Sequence, residues 1–312
     1  MSAMKNKLIL SLVILFSVFT GYLYAEEQTI KTGAKVAEEP LAQAKKYFDM
    51  GRYEEAIKIY NMIKIKYPDS SWVLEAQNMT AKTYEKQGKL QKAIDEYTDI
   101  INKNKESEKT EEVFFNIGRL LSDNHQMDRA INAYNLYTKR FPSGQYFVVA
   151  VFNMASLQKE KGDTNAALKN YEIIMTDYPN ESWFYNWSAI YSGHIYYKHK
   201  EYGKALGYYE RVSAKTNNKY LKTLASLYTG MVYMDTDKID EAKNVFQAIL
   251  KTTNIFTEEA LLGLGNAHYK AKEFEEASEV YQSLMDMYPE TNWKNDIERK
   301  LEDITKTAQP AK

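Results

Sequence analysis

The chain has no cysteine. That absence excludes disulfides, thiolate metal sites, a thiol nucleophile and lipidation of a cysteine behind an export signal. It leaves the redox compartment open, because an exported protein need not use disulfides. Charge of one sign is also lacking: 41 basic residues face 42 acidic ones, a formal net charge of -1. Nucleic-acid binding, which favours a concentrated basic surface, is not expected. Histidine is scarce, at four residues, and proline at six. His194 and His199 are five apart, which does not set them on one helix face as a metal pair. His125 falls in a turn and His268 at a helical aromatic position, so structural or surface roles are expected of both. Gly263-Leu264-Gly265 begins like a nucleotide loop, but His268 stands where the next glycine is required. Asp235, Asp237 and Asp240 hint at calcium, yet the sharp-turn glycine and closing glutamate are missing. No nucleophile with a nearby base follows from spacing. No cofactor, metal or catalytic residue is therefore expected.

What is present is a period. Ala56, Ala93, Ala130, Ala167, Ala205, Ala242 and Ala277 recur at intervals of 35 to 38 residues. Four residues after each stands an aromatic: Tyr60, Tyr97, Tyr134, Tyr171, Tyr209, Phe246 and Tyr281. Twelve residues before each stands a small residue: Ala44, Ala81, Gly118, Ala155, Gly193, Gly230 and Gly265. Self-similarity at this period means a stacked array of all-α helix pairs, and it shifts the expected function from catalysis to binding. The small residue on the first helix and the alanine on the second mark a close helix crossing. The aromatic, one turn on, fills the gap to the next repeat. Gly51, Gly88 and Gly162 stand five residues before their alanines, where a left-handed residue can close the first helix. Tyr67-Pro68, Phe141-Pro142, Tyr178-Pro179 and Tyr288-Pro289 end the second helix of four repeats, since proline disfavours helix in the residue before it. The sequence divides into repeats over 37–291, a capping helix over 292–306 with Trp293, Ile297, Leu301 and Ile304 on one face, and a disordered tail over 307–312. The repeats account for many of the 26 tyrosines, so that excess is not itself a binding signal.

The N-terminus is separate. Lys5 and Lys7 precede an uncharged, mostly apolar run over 8–24, then Ala25, Glu26 and Glu27. This is the plan of a signal peptide over 1–25, cleaved after Ala25. Leu23 is larger than the small residue preferred two places earlier, and a run of this length can just span a bilayer. An uncleaved inner-membrane anchor over 8–24 is the alternative. Both readings place the repeats outside the cytoplasm, periplasmic or outer-membrane associated, with residues 26–36 as a linker.

The pattern resembles the tetratricopeptide repeat, as in Ala44-x2-Tyr47, Ala56-x3-Tyr60 and Pro68, and in Gly230-x2-Tyr233 and Ala242-x3-Phe246. The resemblance implies a right-handed superhelical solenoid of about seven repeats. It also implies a non-enzymatic scaffold that binds a protein or peptide partner in a concave groove lined by the first helices. Endings such as Tyr67-Pro68-Asp69-Ser70 are similar to repeats of bacterial envelope proteins of the BamD or CpoB type. That likeness suggests an outer-membrane assembly or secretion component, or a coordinator of cell-wall synthesis and division. The chain departs from both groups, having neither a lipidated cysteine nor room for a coiled coil before the repeats. Groove positions implied by the resemblance are Phe115, Asn116, Arg119, Phe152 and Asn153 in repeats three and four. In repeats five and six they are Trp187, Ile190, Tyr191, His194, Tyr197, Leu227, Tyr228, Met231 and Met234. The second set is unusually apolar for a wetted surface, as partner sites are. Asn116 and Asn153 offer paired donors and acceptors for a peptide backbone. The competing expectation is that Trp187, Tyr191 and Tyr228 pack into a tightly wound superhelix. The carboxylate clamp of chaperone-binding relatives is mostly missing, its positions holding Leu41, Lys45, Met79, Glu112 and Asn116.

Overall fold

The computed structural model describes residues 38–68, 70, 72–103, 110–180, 182–252 and 255–308. The expected signal peptide and linker lie outside the described residues. No strand occurs among the described residues, which form seven helix pairs and a terminal helix. The pairs are α1 (residues 38–49) with α2 (Tyr53–Lys66), α3 (Val73–Lys86) with α4 (Leu90–Lys103), and α5 (Glu111–Asp123) with α6 (Met127–Arg140). They continue as α7 (Phe147–Lys161) with α8 (Thr164–Asp177), and α9 (Ser182–Lys198) with α10 (Tyr202–Lys215). The last are α11 (Lys219–Asp235) with α12 (Ile239–Leu250), and α13 (Thr257–Lys270) with α14 (Phe274–Met287), followed by α15 (Lys294–Ala308). The chain divides into two compact units, Met1–Ala150 and Val151–Lys312.

The helix ends have local causes. α2, α6, α8 and α14 stop at the residue before the aromatic–proline pair, and Tyr67, Phe141, Tyr178 and Tyr288 leave the helical region with ψ of 55°, 66°, 50° and 69°. The ring of the following proline blocks the helical conformation there. At the turn inside each pair, one residue lies in the left-handed region. Gly51, Gly88 and Gly162 do so with φ of 73°, 69° and 86°, and His125, Lys200, Asp237 and Lys272 do so with φ of 57°, 60°, 63° and 64°. Each of the seven stands five residues before its repeat alanine. Three glycines signalled this turn in the sequence; the other four residues adopt it at a steric cost of roughly 1–2 kcal/mol for an L side chain.

The period is a packing rule. All seven repeat alanines are fully buried, and the seven aromatics are at most 1% exposed. The small residue of the first helix faces the aromatic of its own repeat, sixteen residues on. A Cβ added to Gly118, Gly193, Gly230 or Gly265 would come within 2.5 to 2.7 Å of the ring of Tyr134, Tyr209, Phe246 or Tyr281. Gly263, one repeat further along, approaches Phe246 just as closely, at 2.6 Å, so this ring also fills the gap to the next repeat. Gly263 and Gly265 are thus packing residues inside α13. The buried hydroxyls of the repeat tyrosines differ in fate. Tyr97 donates to Glu85 Oε1 at 2.6 Å and Tyr281 to Asn266 Oδ1 at 2.8 Å, whereas those of Tyr60 and Tyr209 have no partner.

In the second unit, α15 closes the array. Ile297 and Ile304 are buried with Tyr281 and Leu284, and Trp293 and Leu301 pack against them. The helix runs to Ala308, two residues past the expected boundary at 306, so the first two residues of the expected tail are helical; residues 309–312 lie outside the described residues.

Candidate functional site

In the first unit, the faces of the first helices satisfy their own charges. Lys45 pairs with Glu75 at 2.5 Å and Lys82 with Glu112 at 2.7 Å, each bridging successive first helices thirty residues apart. Arg119 pairs with Glu85 and with Asp123. Leu41 is buried. The clamp positions are therefore occupied by internal pairs and core. A cavity of this unit, about 620 Å³ between α2, α3 and α4, is similar in character. Its Lys64 pairs with Glu96 and its Lys103 with Asp99, which also accepts from Gln77.

Five expected groove residues prove to be interior. Phe115 is 8% exposed, stacked on Tyr146 with centroids 4.6 Å apart and edge-on to Tyr137. Asn116 is 7% exposed, too enclosed to offer its amide to a peptide. Phe152 is 7% exposed, ringed by Tyr171, Trp183, Phe184 and Tyr191 at 5.2 to 6.0 Å. Ile190 and Leu227 are buried too. The reason is rotational: these side chains leave their helices toward a neighbouring helix, and a large ring in that direction is enclosed. Asn153 stays partly exposed.

The second unit keeps an open aromatic face. On α9, Trp183, Trp187 and Tyr191 follow one another every four residues on one side, with ring centroids 6.2 and 5.5 Å apart. Trp183 is 55% exposed, and Trp187 and Tyr191 are half-buried. One turn further, His194 meets Tyr228 of α11 at 5.5 Å, and Tyr228 stacks on the core ring of Tyr209 at 5.4 Å. Tyr191 and Tyr228 thus serve both expectations, packing inward on one edge and remaining partly open on the other. Burial raises both phenol pKa values.

Two cavities flank these rings. The first, about 490 Å³, is bounded by α7, α8 and α9 and lined by Lys159, Lys198, His194, Tyr191, Ser156 and Glu160, among others. Lys159 Nζ lies 3.9 Å from the centroid of the Tyr191 ring, a cation–π contact. Burial, followed by the charge of Lys198, lowers the Lys159 pKa. The His194 pKa is lowered by burial and then by Lys198 and Lys159, and its buried Nδ1 has no hydrogen-bond partner. The cavity is cationic. The second, about 430 Å³, is lined by Tyr197, Met231, Met234 and Trp293, with Asp235 and Glu259 supplying negative charge. Tyr197 donates its hydroxyl to Asp235 Oδ2 at 2.6 Å. Glu259 Oε2 is buried without a partner. Met231 is 38% exposed at the mouth.

The remaining polar motifs are absorbed by packing and turns. Asp235, Asp237 and Asp240 go to three different partners, Tyr197, Lys270 and Lys243. His268 Nδ1 lies 2.6 Å from Glu273, which also binds Lys243. No group of three metal-ligating side chains occurs among the described residues. Trp183 was legible as the residue one turn before Trp187. Lys159 and Glu259 carry no signal in the sequence, because only contacts between repeats bring them into these cavities.

Comparison with known proteins follows the same division. A family model described as "Tetratricopeptide repeat-like domain" matches residues 149–306, about half of the chain, and one described as "Tetratricopeptide repeat" matches 41–70 and 75–107. No curated protein matches the sequence. Among solved structures, a TPR repeat-containing protein from Cytophaga hutchinsonii is similar at 16% identity and TM-score 0.64, over 82% of this chain and 98% of that one. A tetratricopeptide repeat protein from Parabacteroides merdae is similar at 15% identity and TM-score 0.51, over 87% and 99%. A structure of Naa15/Naa10 bound to HypK-THB aligns at 17% identity and TM-score 0.54, covering 86% of this chain but 39% of that one. At these identities the likeness is one of fold.

Proposed function

The chain belongs to the tetratricopeptide repeat family, and from that premise we propose that it is an exported, non-enzymatic scaffold of the cell envelope that captures a peptide or helix of a partner protein along the open face of repeats five and six. Tetratricopeptide repeats mediate protein–protein interaction, so the question is where this one does so. One contrast carries the placement. The first unit neutralises its helix faces with internal ion pairs, whereas the second leaves Trp183, Trp187 and Tyr191 in an open row that runs into the cationic cavity at Tyr191, with the acidic cavity beginning at Tyr197 of the same helix. Large aromatics that keep an exposed edge beside unpaired charge are the usual anchors of an interface. The placement of His268 and of the three aspartates by packing and turns supports binding over catalysis.

Export is supported by Lys5 and Lys7, the apolar run over 8–24 and Ala25. Intact mass of the protein recovered from cells tests it: cleavage after Ala25 removes 25 residues, and a retained anchor removes none. For the site, a photocrosslinker at position 187 should capture a partner in cells. Trp187→Ala and Tyr228→Ala should each weaken recovery of that partner. Tyr228 stacks on the core, so the comparison is made at equal helical circular dichroism. Recovery that is unchanged in Trp187→Ala would refute the placement.

A further inference from the structure

We propose that the open face of the second unit selects a dipolar segment of its partner. An acidic side chain enters the cavity at Lys159 and Lys198, a basic side chain enters the cavity at Asp235 and Glu259, and the segment binds in one direction only. The proposal rests on the capture reading above and adds charge, spacing and polarity to it.

The first cavity sets two lysines against the single carboxylate of Glu160, and the second holds carboxylates alone. Lys159 and Lys198 form no ion pair among the described residues, and after burial the charge of Lys198 lowers the Lys159 pKa further. A carboxylate entering there meets two cations and the edge of Tyr191. In the other cavity, Glu259 Oε2 is buried with no donor. No lysine or arginine lines this cavity, and two lysines of α13 and α15 are already committed elsewhere. Lys270 bonds to the Met234 carbonyl at 2.8 Å and to Asp237 at 3.1 Å, and Lys300 to Asn266 at 2.6 Å and Asp296 at 2.7 Å. A buried carboxylate oxygen left without a donor is unfavourable, and an incoming ammonium or guanidinium relieves it. The walls suit the stem of such a side chain: Met231, Met234 and Trp293 cover its methylenes while the head reaches the carboxylates.

The two cavities share a partition. His194 of the cationic cavity touches Tyr197 of the acidic one, ring centroids 6.4 Å apart, and also Tyr228. The first cavity lies between α7 and α9, and the second is walled by Tyr197 of α9 together with α11 and α13, so one to two helix spacings, roughly 10–20 Å, separate their charged groups. An extended chain covers that in about three to six residues. A reversed segment would set like charges together at both ends, which is what excludes it.

The test uses the full chain and a phage-displayed library of random dodecapeptides, panned in parallel on the wild type and on Trp187→Ala. Enriched peptides should carry an acidic and a basic residue about three to six positions apart, always in the same order. A synthetic copy of the leading peptide with the two charged residues exchanged should bind about a hundredfold more weakly by fluorescence anisotropy, roughly tenfold for each mismatched end. In the doubly reversed chain, Lys198→Glu with Glu259→Lys, each cavity holds one charge of either sign beside its remaining partner, Lys159 or Asp235, and that preference should disappear. If the reversed chain loses helical circular dichroism, Glu259→Gln reads the basic end alone and, with Asp235 still present, should lose most of the preference for the arginine over the citrulline form of the peptide. Enriched peptides lacking the pair, or showing both orders, would overturn the dipolar proposal and leave capture standing. No enrichment over Trp187→Ala would overturn both.

Discussion

One substitution, glycine to alanine, should have three different outcomes in the second unit, for three separable reasons. At Gly207, inside α10, an added Cβ meets nothing within 4 Å. Only the conformational cost of glycine in a helix is removed, so Gly207→Ala should stabilise by about 0.8–1.0 kcal/mol. At Gly162 the space is equally empty, but φ is +86°. Alanine must hold a left-handed conformation there, and Gly162→Ala should destabilise by roughly 1 kcal/mol. At Gly193 the backbone is helical and would welcome alanine. The new Cβ, however, would lie 2.5 Å from Tyr209 Cε1 and 3.0 Å from Cδ1 and Cζ. That ring is fully buried, held by Tyr228 stacked on it at 5.4 Å, and cannot swing aside. Overpacking of about 1–3 kcal/mol should outweigh the helix gain. Urea unfolding of the full chain, followed by helical circular dichroism, should place the midpoints above wild type for Gly207→Ala and below it for the other two. Tyr209→Leu removes the ring, so in that background the cost of Gly193→Ala should shrink. If Gly193→Ala is as benign as Gly207→Ala, the small–aromatic spacing is not a steric pairing and the account of the period fails.

Three further outcomes follow from particular contacts. Lys200→Gly and Lys272→Gly relieve a left-handed lysine at φ 60° and 64°; the relief of about 1–2 kcal/mol, less about 0.5–1 for the added freedom of glycine when unfolded, should raise the thermal midpoint slightly, and a fall would contradict the strain. Tyr209→Phe deletes a buried hydroxyl that has no partner and should leave stability equal or higher, whereas Tyr97→Phe loses the bond to Glu85 and should cost roughly 1 kcal/mol in the same assay. His194 faces Lys159, Lys198, His199 and Glu160 around its cavity, and its pKa is lowered by burial and then by the two lysines. A proton therefore binds the unfolded chain more readily. The His194 contribution is fully present above its ordinary pKa of about 6.5 and is lost as pH falls through that value toward the lower folded one. The drop in thermal midpoint from pH 7.5 to 5.5 should be smaller in His194→Phe than in wild type, and an equal drop would remove His194 from the explanation.

The sequence by itself determined whatever depends on chemistry local to one repeat. Proline after an aromatic stops a helix because its ring blocks the preceding residue, and the four helices so marked end where that rule puts them. The small residue and the aromatic recur sixteen apart because ring and glycine occupy the same space, so the pairing is visible without coordinates. Tertiary structure decided the rest. His125, Lys200, Asp237 and Lys272 carry no glycine signal, yet packing of the two helices imposes on them the same turn that Gly51 adopts freely. Phe115 and Phe152 share the composition of an open aromatic face but point at neighbouring helices, while Trp183 and Trp187 keep an edge in solvent. Lys159 with Lys198, and Asp235 with Glu259, lie many residues apart in the chain. Only the stacking of successive repeats brings each pair into one cavity, because charge acts through distance in space and the period of a sequence records only distance along it.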